Sequence, residues 1–231
     1  MLCTVMAPTR KRVKHLKKML YTLFSSVSDP KCIEAIMRVD EDDTETQDYL
    51  ADKLNDNIKM IVGPRYNGYA ELHRFYNEIA ERAKGTWLFL SNDDLHFNKT
   101  NWDLELEKIE EVLVLNPKIL SDGRWLPETG ANCFPIMHKR IYEILGYFSP
   151  CFLSDAYVGT LASKVGLELY TPFIEVVHSR YDLNSDNDST VKELTAACDN
   201  LPPHFYEDCA NKNMDIDIEK ILNSDLKWIL K

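Results

Sequence analysis

Apolar residues along the chain alternate between two spacings. Residues 2–7 form a β-type run, apolar except for Thr4, of the kind a covered strand needs. Residues 13–27 then place Leu16, Met19, Leu20, Leu23 and Phe24 at helical spacing. The alternation repeats, with strand-like runs at 33–39, 58–62 and 86–90 and helical segments expected over 45–54 and 72–83. Gly85 stands where a helix C-terminus takes a glycine. Four strands with three intervening helices predict a mostly parallel sheet, because each crossover returns the chain in the same direction.

Beyond residue 98 the rhythm changes. Residues 103–115 read as an amphipathic helix stopped by Pro117. Short β-type runs follow at 132–138, 167–170 and 174–178, with helices expected at 139–145 and 155–165. Residues 184–187 are polar and loop-like, and 215–230 reads as a helix offering Ile216, Ile218, Ile221, Leu222, Leu226 and Ile229 for packing. No internal repeat or low-complexity tract interrupts this.

The bulk numbers narrow the class. At 231 residues, 45% hydrophobic and 28% charged, the chain fits one large globular domain with a substantial core. No apolar run approaches the roughly 20 residues that span a bilayer. The first residues are too short for a signal-peptide core, so a cytoplasmic location is expected. A net charge of -10 and a pI of about 5.1 argue against a long nucleic-acid duplex as partner. The one dense basic stretch, Arg10 to Lys18, suits a small anion. Six cysteines stand far apart with no C-x-x-C pair, which predicts reduced thiols rather than a zinc site or disulfides.

Parallel sheets bind ligands outside the carboxyl ends of their strands. The polar segments 8–12, 40–43, 63–69 and 91–94 all fall at that edge. Asp93 and Asp94 are oxygen ligands of the type that Mg²⁺ or Mn²⁺ prefers, shared with a substrate's phosphates. The same residues also suit a helix N-cap or a solvated turn; their place at a strand end favours the metal. His178 ends a strand and is either a third ligand or an ordinary strand-end histidine, and Arg180 beside it could meet a phosphate. Asp155 enters a helix, as a general base or as a cap. Asp40 either accepts from a base N–H or ribose hydroxyl or belongs, with Asp42 and Asp43, to a charged turn. Arg10, Arg12 and Arg65 offer bidentate forks to phosphate, or are surface residues. Gly68 and Tyr69 let backbone approach and ring stack on a nucleotide, or make a tight turn with a packed aromatic.

The order and spacing of these motifs resemble the GT-A fold glycosyltransferases, especially the family 2 type. The resemblance rests on Ala7-Pro8-Thr9-Arg10, Val39-Asp40, Gly63-Pro64-Arg65-Tyr66-Asn67-Gly68-Tyr69 with Asn77-Glu78 following, and Trp87-Leu88-Phe89-Leu90-Ser91-Asn92-Asp93-Asp94. It continues through Asn132-Cys133-Phe134-Pro135, Leu145-Gly146-Tyr147-Phe148, Ser154-Asp155 and His178-Ser179-Arg180. It implies an α/β GT-A (nucleotide-diphospho-sugar transferase) fold over residues 1–181, with a nucleotide-sugar-binding half at 1–98, an acceptor-side half at 99–181 and a C-terminal helical extension at 182–231.

The implied activity is metal-dependent transfer of a sugar from a nucleoside diphosphate-sugar to an acceptor hydroxyl, with inversion. The acceptor class (glycan, lipid-linked or protein) stays open. By the resemblance, Pro8, Thr9, Arg10 and Asp40 hold the nucleotide and Asp93 serves with Asp94 at the metal-diphosphate site; Arg12, Arg65, Tyr69 and Asn77 complete the expected nucleotide-sugar contacts. Asp94 and His178 hold Mn²⁺ or Mg²⁺, and Asp155 is the base. Asn92 departs from the family pattern, where an Asp often opens the acidic motif. A nucleotidyltransferase-like enzyme and a catalytically silent nucleotide-sugar-binding protein are the alternatives.

Overall fold

The structure, a computed structural model, describes residues 1–121, 124–125, 133–179 and 205–228. Asp122, Asn132, Arg180, the 184–187 loop, Cys198 and Ile229 fall outside these.

The expected strand–helix alternation is present. Strand β1 (Cys3–Thr9) leads to α1 (Val13–Ser26), β2 (Ile33–Asp40), α2 (Thr44–Ala51), β3 (Ile58–Gly63), α3 (Leu72–Arg82) and β4 (Trp87–Leu90). β2 is buried along its whole length and β1 at all but one position, as a strand covered on both faces must be. The stripe Leu16, Met19, Leu20 and Leu23 is the buried side of α1, while α3 buries Phe75, Tyr76, Ile79 and Ala80. Gly85 has a role other than the expected helix stop. α3 closes at an extended Ala83, and a side chain at Gly85 would lie 2.4 Å from the backbone nitrogen of Thr4.

Next come β5 (Leu95–Phe97), α4 (Trp102–Leu106), β6 (Val114–Ser121), β7 (Arg124–Trp125), β8 (Ile136–His138), α5 (Lys139–Leu145), α6 (Ser154–Val165), β9 (Glu168–His178) and α7 (Phe205–Leu222). The sheet order is β3-β2-β1-β4-β8-β6-β9-β5, with β7 beside β6. The block β3-β2-β1-β4 is parallel, and the remainder is mixed. Since β2 and β3 lie on one side of β1 and β4 on the other, the strand order reverses at β1/β4. That reversal opens a crevice at their carboxyl ends.

Three expectations are corrected. The helix expected over 103–115 is only α4, and the β-branched and leucine residues after it join β6. Pro117 lies inside that strand because the β6–β9 register shifts between Pro117 and Lys118. At such an irregularity a missing N–H breaks no regular ladder. The two short runs at 167–170 and 174–178 are one strand, β9. The last helix begins at Phe205 rather than Asp215 and ends at Leu222, followed by a 3₁₀ turn at Asp225–Trp228. Among the described residues no helix is long and apolar enough to cross a membrane.

Candidate functional site

The crevice is built from strand ends. Thr9 closes β1, and its hydroxyl donates to Asp93 Oδ2 at 2.7 Å across the reversal point. Asp93 and Asp94 follow β4 and are both almost fully buried. Arg12, in the turn between β1 and α1, spans the pair: Nη1 donates to Asp93 Oδ1 at 2.8 Å and Nη2 to Asp94 Oδ2 at 3.1 Å. That turn is possible because Lys11 takes a positive φ of 52° and its N–H donates to Asp43.

The fourth wall is β9. β5 and β9 are antiparallel with Leu95 opposite His178, which brings His178 beside Asp94, and the Ser179 N–H donates to the Asp94 carbonyl at 3.1 Å. His178 Nε2 lies 3.5 Å from Asp94 Oδ1, and the Phe134 ring stands perpendicular to the imidazole with centroids 4.9 Å apart. Asp94 Oδ1 is buried and accepts no hydrogen bond. Burial alone would raise the Asp94 carboxyl, but the His178 imidazole and the Arg12 guanidinium hold it below the usual carboxylate range. It is an anion whose Oδ2 is held by Arg12 and whose Oδ1 faces an imidazole.

A second polar network flanks this one. Arg10 Nη1 donates to Asp40 Oδ2 at 3.0 Å and also reaches Asp42, to which Nη2 donates at 2.8 Å. Arg38, wholly buried, donates from Nε to Glu78 at 2.5 Å and from Nη1 to Asp40 Oδ1 at 3.3 Å, and also reaches the Pro64 carbonyl. A Cβ at Gly63 would sit 2.9 Å from the Arg38 guanidinium, so a side chain there would require Arg38 to shift. Burial pushes the Asp40 carboxyl up against the pull of Arg10 and Arg38. A cleft lined by Pro8, Thr9, Arg10, Arg12, Asp40, Arg65, Tyr69 and Asp93 joins the two networks.

Arg38 was not among the residues singled out from sequence, nor was Tyr76. The Tyr76 hydroxyl donates to Asn92 Oδ1 at 2.7 Å, tying α3 to the head of the acidic motif. Signals for both were faint: an arginine within an apolar run and a tyrosine on the apolar stripe of α3. Asn77 does not line the cleft. Its Oδ1 accepts from the Phe148 and Ser149 N–H groups at 2.7 and 3.2 Å, and its Nδ2 donates to the Ser149 carbonyl at 2.8 Å. It therefore positions the turn that leads to α6.

Asp155 lies in the first turn of α6, half-buried, accepting from the Ala156 N–H. The helix cap itself is Leu153, whose side chain makes no capping bond. Burial raises the Asp155 carboxyl above its ordinary value, and His178 pulls the other way. Burial pushes the Tyr76 hydroxyl well above its ordinary value, and the negative charges of Asp155, Asp94 and Asp93 act in the same direction. Among the described residues no group of three or more acidic, histidine or cysteine side chains is arranged around one metal position.

No protein-family model matches the chain, and no curated protein matches it in sequence. Solved structures do. S. aureus TarS 1–349 in complex with UDP-GlcNAc superposes with a TM-score of 0.66 at 15% identity, covering 98% of this chain and 68% of that one. The mannosyltransferase PcManGT from Pyrobaculum calidifontis, in complex with GDP-Man and Mn²⁺, gives 0.59 at 11% identity over 94% of this chain and 72% of that one. GalNAc-T7 with UDP, GalNAc and Mn²⁺ gives 0.62 at 14% identity over 94% of this chain, which spans 48% of that chain. These are GT-A-type glycosyltransferases, and the present chain has their fold.

Proposed function

We propose that the protein is a metal-dependent glycosyltransferase that moves a sugar from a nucleoside diphosphate-sugar to an acceptor hydroxyl with inversion. One observation carries this reading. Asp94 Oδ1, buried and without a close hydrogen-bond donor, faces His178 Nε2 at 3.5 Å, next in the chain to Asp93, which lines the cleft at the β1/β4 strand ends. A lone buried carboxylate oxygen is costly unless something else fills its lone pairs.

An oxygen and an imidazole nitrogen fit Mn²⁺ or Mg²⁺ as a partial protein shell, the remaining positions being of the kind that diphosphate oxygens and water supply. Bound there, the ion would offset charge on the departing nucleoside diphosphate. The other roles belong to the chain. Asp40, braced by Arg10 and Arg38, accepts from a base N–H or ribose hydroxyl. Pro8 and Thr9 form the floor under the nucleoside, and Tyr69 offers a ring to stack. Arg12 and Arg65 face the diphosphate.

Asp155 takes the proton from the acceptor hydroxyl as that oxygen attacks the anomeric carbon, and the bond from that carbon to the diphosphate oxygen breaks on the opposite side. The raised Asp155 carboxyl suits a base whose proton affinity must approach that of a reacting group.

The test is a thermal-shift and transfer screen of nucleoside diphosphates and their sugars, with and without Mn²⁺. A metal-dependent rise with one nucleotide-sugar is expected, about 2.7 kcal/mol at a hundredfold excess over its dissociation constant. Asp94→Asn should abolish the metal dependence and lower transfer on the order of 10²–10³-fold. Release of pyrophosphate instead of a nucleoside diphosphate would identify a nucleotidyltransferase. Donor binding with neither transfer nor hydrolysis would identify a silent binding protein.

A further inference from the structure

The sequence spacing predicts six unpaired thiols, yet two of them meet in the fold. Cys151 lies in the turn between α5 and α6, and Cys209 lies on α7. Their Sγ atoms are 2.7 Å apart, with no room for another atom between them. The turn holds its thiol still: the Ser149 and Ser154 hydroxyls donate to the Cys151 carbonyl at 3.0 and 3.1 Å, and the Cys151 N–H donates back to Ser149 Oγ at 3.2 Å. On the other side, α7 is seated by polar anchors. Tyr147 and Tyr157 donate to the buried Asp217 at 2.5 and 2.6 Å, and Lys220 donates to the Leu145 carbonyl at 3.2 Å. Neither thiol needs to search for the other.

We propose that Cys151 and Cys209 are a redox-modifiable pair that closes to a disulfide with a small-molecule disulfide oxidant, stapling α7 to the turn that leads into the Asp155 helix. Cys209 is the more accessible of the two, whereas Cys151 is almost completely buried. Burial also pushes the Cys151 thiol up, so the first attack falls to Cys209. The Cys209 thiolate attacks one sulfur of the oxidant, forming a mixed disulfide and expelling one small thiol. Cys151 then loses its proton and attacks the Cys209 sulfur, expelling the second. Two protein thiols and one oxidant disulfide thus yield one protein disulfide and two small thiols.

Competing thiols are placed worse. Cys3 is enclosed in β1, and burial pushes the Cys32 thiol up to about 11. The bridge would close a long loop that contains Asp155 and His178, the situation in which a cross-link most restricts the unfolded chain.

The test uses the full-length protein, purified reduced, incubated with oxidised glutathione, alkylated and mapped by mass spectrometry without reductant. The expected product is a peptide pair joining Cys151 to Cys209, lighter than its two components by two hydrogens. Its formation should raise the melting temperature by about 5–10 °C, reversibly with dithiothreitol. Cys209→Ser should show neither the link nor the rise. A lasting glutathione adduct on Cys209 beside an alkylatable Cys151, a link from either residue to Cys198, or no reaction would overturn the proposal. A Cys151–Cys209 link without a melting shift would overturn the staple.

Discussion

The central parallel strands carry buried acids at both of their ends, and the two ends are built differently. At the amino end, Glu34 on β2 accepts from the Thr4 hydroxyl at 2.6 Å, from the Lys84 N–H and from Lys59, so both of its oxygens are used. Asp103, behind α1, is likewise enclosed: the Ser28 and Asp29 N–H groups donate to it at 2.9 and 3.1 Å and the Ser28 hydroxyl at 2.5 Å. At the carboxyl end, Asp94 is just as buried but keeps one oxygen without a donor, facing an imidazole. Burial therefore does not separate the carboxylates of the two ends. Saturation does, because a satisfied carboxylate has no lone pair left to offer a ligand.

The comparison can be broken in several places. The largest effect is expected at Asp155, which stands outside both networks. Asp155→Asn should lower kcat on the order of 10³-fold while donor-induced thermal shifts persist. Loss of donor binding as well would make Asp155 a structural residue. The same carboxyl sets the pH dependence. Its folded value is raised, so the basic form appears only as pH rises past that value, and transfer should fall on the acid side of a profile that Asp155→Glu displaces.

A smaller effect, of the opposite kind, is expected at the amino end. Glu34→Ala leaves the Thr4, Lys84 and Lys59 donors without their acceptor and should cost about 2 kcal/mol of stability, lowering the melting temperature by roughly 4–8 °C. Well below that melting point, activity per folded molecule should equal the parent's. An activity loss there would show that the two ends are coupled.

The smallest effect sharpens the carboxyl end itself. Arg12 places a positive charge across Asp93 and Asp94, so it should oppose a dication and attract a diphosphate. Arg12→Gln should tighten Mn²⁺ binding about tenfold, read by calorimetry without donor, while weakening nucleoside diphosphate binding by a similar factor. Changes of the same sign for both ligands would remove Arg12 from this role.

The parallel half was legible because its information is local. The mostly apolar runs of β1, β2 and β4 and the stripes of α1 and α3 each declare their element within a few residues. The rule that polar loops gather at the carboxyl edge then brings Thr9, Arg12, Asp40 and Asp93 to one cleft. Pro117 misled because a proline after an amphipathic stretch stops a helix in isolation, whereas the β6–β9 irregularity accommodates it in a strand.

By itself, then, the sequence determined the elements of the parallel half and the edge at which their polar loops converge, since hydrophobic period and strand-end position are properties of neighbouring residues. Only the tertiary structure decided which of those groups are saturated. Arg38 against Glu78, Asn77 against Ser149, Tyr147 and Tyr157 on Asp217, and Cys151 against Cys209 join residues far apart in sequence. The same distance separates Asp94 from His178. Partners brought together by strand order and helix docking leave no periodic trace in the chain, and the availability of a lone pair is set by those partners alone.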